Sequence, residues 1–88
     1  MAESQSPEMV LGFLLFPGFP MACLTSAIEP LRAANEIAGE RVFAWTLIGE
    51  SSSPVSASAE VRFTPDRVLD EGLELDHLYL ISPPDALF

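Results

Sequence analysis

Few residues in this 88-residue chain have side chains that could do chemistry. Cys23 is the single thiol. A position near a helix start could lower its pKa toward that of a nucleophile. No histidine stands near it in sequence to serve as base, so a buried, inert thiol is the expectation. Glu74 and Asp76 precede His77, which invites a metal reading. A third and fourth ligand cannot be identified, and His77 reads instead as an exposed histidine opening a strand. Glu29 should face away from the apolar side of its helix and pair with Arg32. Pro30 beside it could turn the same carboxylate toward a ligand or a partner chain. Last comes the turn Phe16-Pro17-Gly18-Phe19, with Ser82 expected opposite it. Here glycine permits close backbone approach, and the aromatics offer apolar and cation–π surface. No pairing of nucleophile with base emerges, so the chemistry to look for is binding.

The elements that must position these residues can be read from periodicity. Met9 to Phe16 is apolar without alternation, as in a strand buried on both faces of a parallel sheet. Pro17 and Gly18 stop it. Leu24, Ala27, Ile28, Leu31, Ala34 and Ala38 recur at helical spacing and form one stripe, with Glu29, Arg32 and Glu36 opposite. Pro30 interrupts that pattern, so the helix either starts properly there or is kinked; Gly39 is the expected stop. Val42 to Glu50 reads as a second strand, and Trp45 within it as core. Ser51 to Pro54 is a loop. Val55–Ala57 and Val61–Phe63 read as an edge hairpin. Thr64-Pro65-Asp66 has the pattern of a helix cap before a brief helical stretch. His77 to Ile81 is a third buried strand, followed by Ser82-Pro83-Pro84.

Strand, turn and helix in immediate succession open an α/β sheet, whose ligands sit at the carboxyl ends of the strands. A single helix cannot cover both faces of such a sheet. A bare apolar face should therefore meet further chain or a partner subunit. The length suits one small domain, smaller than a complete three-layer sandwich, and a fragment is expected. Thirteen acidic residues against four arginines give a net charge of −9. Such a surface repels phosphate backbones and anionic membranes, so this segment should not grip DNA itself. One cysteine excludes an internal disulfide and fits a reducing, cytoplasmic setting. Residues 1–8 carry no basic residue, unlike a signal peptide, and read as a flexible lead-in to a unit spanning residues 9–88. The apolar run from Met9 to Pro17 is too short to cross a bilayer.

The wording GFLLFPGF, AIEPLRAAN, FAWTLIGE, PVSASAEVRFTPD and LDHLYLI closely resembles the N-terminal half of a known domain. It is the PfpI-like, class I glutamine amidotransferase-like domain at the front of AraC/XylS-type transcription regulators of the GlxA group. The resemblance covers Val10 to about Ile81, and AIEPLRAAN after the turn is its most specific part. It implies a flavodoxin-like three-layer sandwich with parallel core strands and a small edge hairpin, present here as its N-terminal half. It further implies a remaining half and DNA-binding helix-turn-helix units outside these residues. The function implied is sensing of a small metabolite, such as an amino acid or quaternary amine, and homodimerisation, without a cofactor. On that view Phe16, Pro17, Gly18, Phe19, Glu29 and Ser82 are the ligand-binding candidates.

The same superfamily contains cysteine-dependent hydrolases and hydratases, the alternative reading for this chain. They use an early acid, a glycine pair after the third strand and a later elbow cysteine. Here Cys23 stands at the acid's position, Ser82-Pro83-Pro84 replaces the glycine pair unless that pair lies beyond Phe88, and the elbow would lie beyond Phe88. Prolines have no N–H to offer an oxyanion. The expectation is a non-catalytic domain.

Overall fold

The computed structural model of the protein describes residues 8–70 and 72–84. Apart from Glu8, the lead-in expected over residues 1–8 lies outside them. Strand β1 (Met9–Leu15) occupies the middle of a parallel sheet. Helix α1 (Met21–Ala38) follows, then β2 (Phe43–Gly49), the short strands β3 (Val55–Ser56), β4 (Arg62–Phe63) and β5 (Arg67–Val68), and β6 (His77–Ile81). The sheet runs β5-β2-β1-β6 with all neighbours parallel, and β3–β4 is a separate antiparallel hairpin. This is half of a flavodoxin-like α/β domain.

The unalternated apolar run of β1 has its cause here. Flanked by β2 and β6, it buries Leu11, Phe13 and Leu15 on one face and Leu14 on the other. Helix α1 lays Leu24, Ala27, Ile28 and Leu31 over the first face, which β2 completes with Phe43, Trp45 and Leu47. On the second face Gly12 has no side chain, and Leu75 and Ile48 fill its place. A Cβ there would lie 2.6 Å from one Leu75 methyl and 2.7 Å from Ile48 Cδ1.

Helix α1 runs unbroken through Pro30. Proline at this point removes only the bond to the Ser26 carbonyl, on an exposed turn where water can replace it. Gly39 ends the helix in the left-handed conformation (φ 73°), its N–H donating to the Asn35 and Glu36 carbonyls. Asn35 ties that end to the sheet. Its Oδ1 accepts from the Val42 and Phe43 N–H groups at 2.9 and 3.0 Å, and its Nδ2 donates to the Phe43 carbonyl at 3.0 Å. Asn35→Ala removes all three bonds at the start of β2. With a net worth of 0.5–1.5 kcal/mol each, a loss of roughly 2 kcal/mol is expected in urea denaturation.

Three expectations need correction. Thr64-Pro65-Asp66 does not cap a helix; it leads into β5, a fourth strand of the sheet, which pairs with the end of β2. Asp66 donates its N–H to the Leu47 carbonyl (2.7 Å), and its carboxylate accepts from the Leu47 N–H (2.8 Å). Asp76 does the same to Val10 ahead of β6, at 2.8 and 2.7 Å. An aspartate that would cap a helix instead clamps the register of a parallel strand. Second, β6 is not a buried strand. Leu78, Tyr79 and Leu80 are about half exposed, because β6 is a sheet edge with β1 on one side. A groove of about 300 Å³ separates it from α1, lined by Leu11, Phe13, Ala27, Leu31, Tyr79 and Ile81. Third, Cys23 is exposed, not buried. It precedes Leu24, the one α1 residue that is fully buried, and so sits off the helix's inward stripe.

Candidate functional site at the strand ends

The parallel strands bring the turn after β1, the loop after β2 and the residues after β6 to one end of the sheet. Each part is pinned by the backbone. Phe16 donates its N–H to the Ile81 carbonyl at 3.0 Å, which ties the turn to β6. Phe19 donates back to the Phe16 carbonyl at 3.1 Å, closing the turn around Gly18, whose φ of 84° lies in the left-handed region. Gly18 donates to the Ser56 carbonyl at 2.7 Å and Ser58 to the Phe19 carbonyl at 2.8 Å, which fastens the β3–β4 hairpin against the turn. Gly18 also faces Pro83, whose Cγ would lie 3.5 Å from an added Cβ.

Phe16, Pro17, Gly18, Phe19 and Ser82 are thus brought together, with Pro17 and Gly18 exposed and Phe16 and Ser82 half-buried. The Phe19 ring is fully buried and meets Phe63 edge-on, with centroids 5.3 Å apart. It is a core side chain, and what the turn offers outward is Pro17 and Gly18. Glu29 is placed elsewhere. It lies eight residues into α1, about 12 Å along the axis at 1.5 Å per residue. There it accepts from Arg32 Nε at 2.9 Å and Nη2 at 2.8 Å, while Glu36 accepts from Nη1 at 2.8 Å. The hydrogen bond that Arg32 donates to Glu29, then the negative charges of Glu29 and Glu36, raise the Arg32 pKa above its ordinary value.

The loop after β2 contributes residues that the sequence reading passed over. A cleft of about 240 Å³ opens between it and the turn, lined by Leu15, Pro17, Glu50, Ser51, Ser53, Pro54, Val55 and Ser56. Glu50 is its one charged group. The Ser51 hydroxyl accepts from the Ser53 N–H at 3.2 Å and holds the loop's bend. Gly49 lets this loop turn under Pro65, since an added Cβ would come within 2.6 Å of both the Pro65 ring and the Ser51 carbonyl. The run GESSSP directly after a strand was the available signal, because the loops leaving neighbouring parallel strands share one end of the sheet.

His77 opens β6 and so lies at the opposite, amino end of the sheet. After β6, Pro83 and Pro84 supply no N–H donors. Among the described residues no three histidine, cysteine or acidic side chains gather as a metal site, and no helix is long and apolar enough to cross a membrane.

No family model matches the chain. Individual relatives do. It is 34% identical over 74 residues to the HTH-type transcriptional regulator GbdR of Pseudomonas aeruginosa strain UCBPP-PA14, a match covering 84% of this chain and 20% of that protein. Over 70 residues it is 33% identical to the HTH-type transcriptional regulator CdhR of P. aeruginosa PAO1, covering 80% and 20% respectively. The chain therefore spans about one-fifth of the length of the curated relatives it matches. In three dimensions it superposes on the crystal structure of an AraC family transcriptional regulator from Pseudomonas putida with a TM-score of 0.73. Identity there is 25%, over 84% of this chain and 46% of that one. In sequence this chain is similar to HTH-type transcriptional regulators, and in structure to an AraC family transcriptional regulator.

Proposed function

We propose that the chain is the N-terminal portion of a PfpI-like sensing and dimerisation domain in a cytoplasmic AraC-type transcriptional regulator. The observation that carries this is the likeness of more than four-fifths of the chain to such regulators. In this reading the strand ends bind a small effector without transforming it. Prolines after β6 and a histidine at the far end of the sheet support a site that recognises its ligand. The half-exposed Leu78, Tyr79 and Leu80 and the groove beside α1 support a surface that packs against further polypeptide or a second copy. DNA contact belongs to a separate helix-turn-helix domain, since a net charge of −9 opposes a phosphate backbone.

The test is a thermal-shift screen of small metabolites, amino acids and amines included, with each compound followed by NMR. A true effector at ten times its Kd stabilises the folded chain by about 1.4 kcal/mol, a rise of several degrees in Tm for a domain of this size. The expected result is such a rise with the compound unchanged. Conversion of the stabilising compound would instead favour a hydrolase or hydratase.

A further inference from the structure

We propose that the cleft between the β1 turn and the β2 loop selects a small organic cation that keeps its N–H donors. A primary ammonium or guanidinium would fit, in preference to a fully alkylated ammonium. The inference rests on the sensing reading and assigns its ligand class and seat.

Charge decides the first half. Among the residues lining the cleft, Glu50 is the sole charged side chain, with no lysine, arginine or histidine to hold an anion. The chain's net charge of −9 draws cations toward it. Donor count decides the second half. The rest of the polar lining is Ser51, Ser53 and Ser56, whose hydroxyls both donate and accept, so that their oxygens and the Glu50 carboxylate can take hydrogen bonds from an N–H donor. A quaternary ammonium has no N–H to give them. It is held by aromatic faces, and no aromatic side chain lines this cleft. The nearby Phe19 ring is turned into the core against Phe63. Size agrees, since about 240 Å³ lies just below the usual range for drug-sized ligands and leaves room for a few heavy atoms. Both walls are fixed beforehand, one by Gly49 beneath Pro65 and the other by the Gly18–Ser56 hydrogen bond.

Ethanolamine and choline share a skeleton and differ in the three methyl groups on nitrogen, which makes them the matched probes. The ¹⁵N-labelled chain is titrated with each, and with acetate, at constant ionic strength. Ethanolamine should saturate the amide shifts of Glu50, Ser51, Ser53 and Ser56, binding at least fivefold tighter than choline, with no saturation by acetate. Glu50→Gln should weaken ethanolamine at least fivefold, whereas Glu40→Gln, the same charge change on an exposed residue just past α1, should leave it unchanged. Equal or tighter binding of choline, equal loss in both variants, or no saturation by ethanolamine would overturn the assignment. None of these results touches the sensing reading, which fails separately if no screened metabolite raises the Tm.

Discussion

Replacing Phe19 with alanine is expected to destabilise the chain by about 3–5 kcal/mol, as for other large aromatics removed from a packed interior. Small domains are held by only about 5–15 kcal/mol in total, so the variant should be largely unfolded well below the melting temperature of the parent. The size of the effect comes from position. Phe19 is fully buried where four elements meet, within one cluster with Leu15 of β1, Leu24 of α1, Val55 of β3 and Ile81 of β6. It also loses its edge-on contact with Phe63, which holds the hairpin down. Phe19→Leu keeps most of the volume and should cost about 1.5 kcal/mol or less. Urea denaturation followed by circular dichroism measures both. A loss below about 1 kcal/mol in Phe19→Ala would mean that the ring is not the keystone described, since even Leu→Ala in a core costs more.

Gly49→Ala should be nearly as severe, at about 3 kcal/mol, the upper end for overpacking a tight site. The added methyl would meet two rigid neighbours at 2.6 Å, the Pro65 ring and the Ser51 backbone carbonyl. Neither can swing aside without moving the start of β5 or the cleft loop. Gly12 gives the internal comparison. Its would-be Cβ is equally crowded, but by the methyl ends of Leu75 and Ile48, which can change rotamer. Gly12→Ala should therefore lose clearly less than Gly49→Ala. Equal losses at the two sites would show that crowding by itself, and not the stiffness of the neighbour, sets the penalty. If Gly49→Ala folds, amide shifts of Glu50 to Ser56 should move most, because the strain falls on that loop.

Most of the architecture was legible because it is written in period and punctuation. The unalternated run Met9–Phe16 suited a strand buried on both faces, and β1 lies mid-sheet. The stripe Leu24/Ala27/Ile28/Leu31 marked the helix and its inward side, and Gly39 its end. The Glu29–Arg32–Glu36 pairing was evident from three- and four-residue spacing along one helix face. What escaped was decided by tertiary contact. Asp66 carries the same local signal whether it caps a helix or clamps a strand, and only the nearby Leu47 backbone selects the clamp. Cys23 looked buried by the habit of its residue type, whereas one position off the inward stripe is enough to expose it. The apolarity of HLYLI correctly signalled a strand, yet burial needs cover that an edge strand lacks, and among the described residues β6 pairs with β1 alone.

The candidate site was legible only in part for a related reason. Phe16 to Phe19 and Ser82 were placed at one end of the sheet by the rule that parallel strands share their ends, and they meet there. Glu29 was drawn in by the disturbance expected from Pro30, but the proline sits on an exposed turn and leaves the helix intact. Glu50 was read as the end of the second strand and Ser51 to Pro54 as a loop, since nothing local distinguishes a loop that spans a gap from one that walls a cleft. That distinction depends on Gly49 folding the loop under Pro65.

The function proposed for the carboxyl ends of the strands is recognition of a small molecule without its conversion. It is tested most directly by adding a small-molecule cell extract to the ¹⁵N-labelled chain and recording amide shifts and metabolite signals together over several hours. The expected result is a set of shifts concentrated at residues 16–19, 50–56 and 82, with every metabolite signal constant in intensity. Shifts confined to another surface, or a metabolite consumed in the presence of the chain and not in its absence, would contradict it.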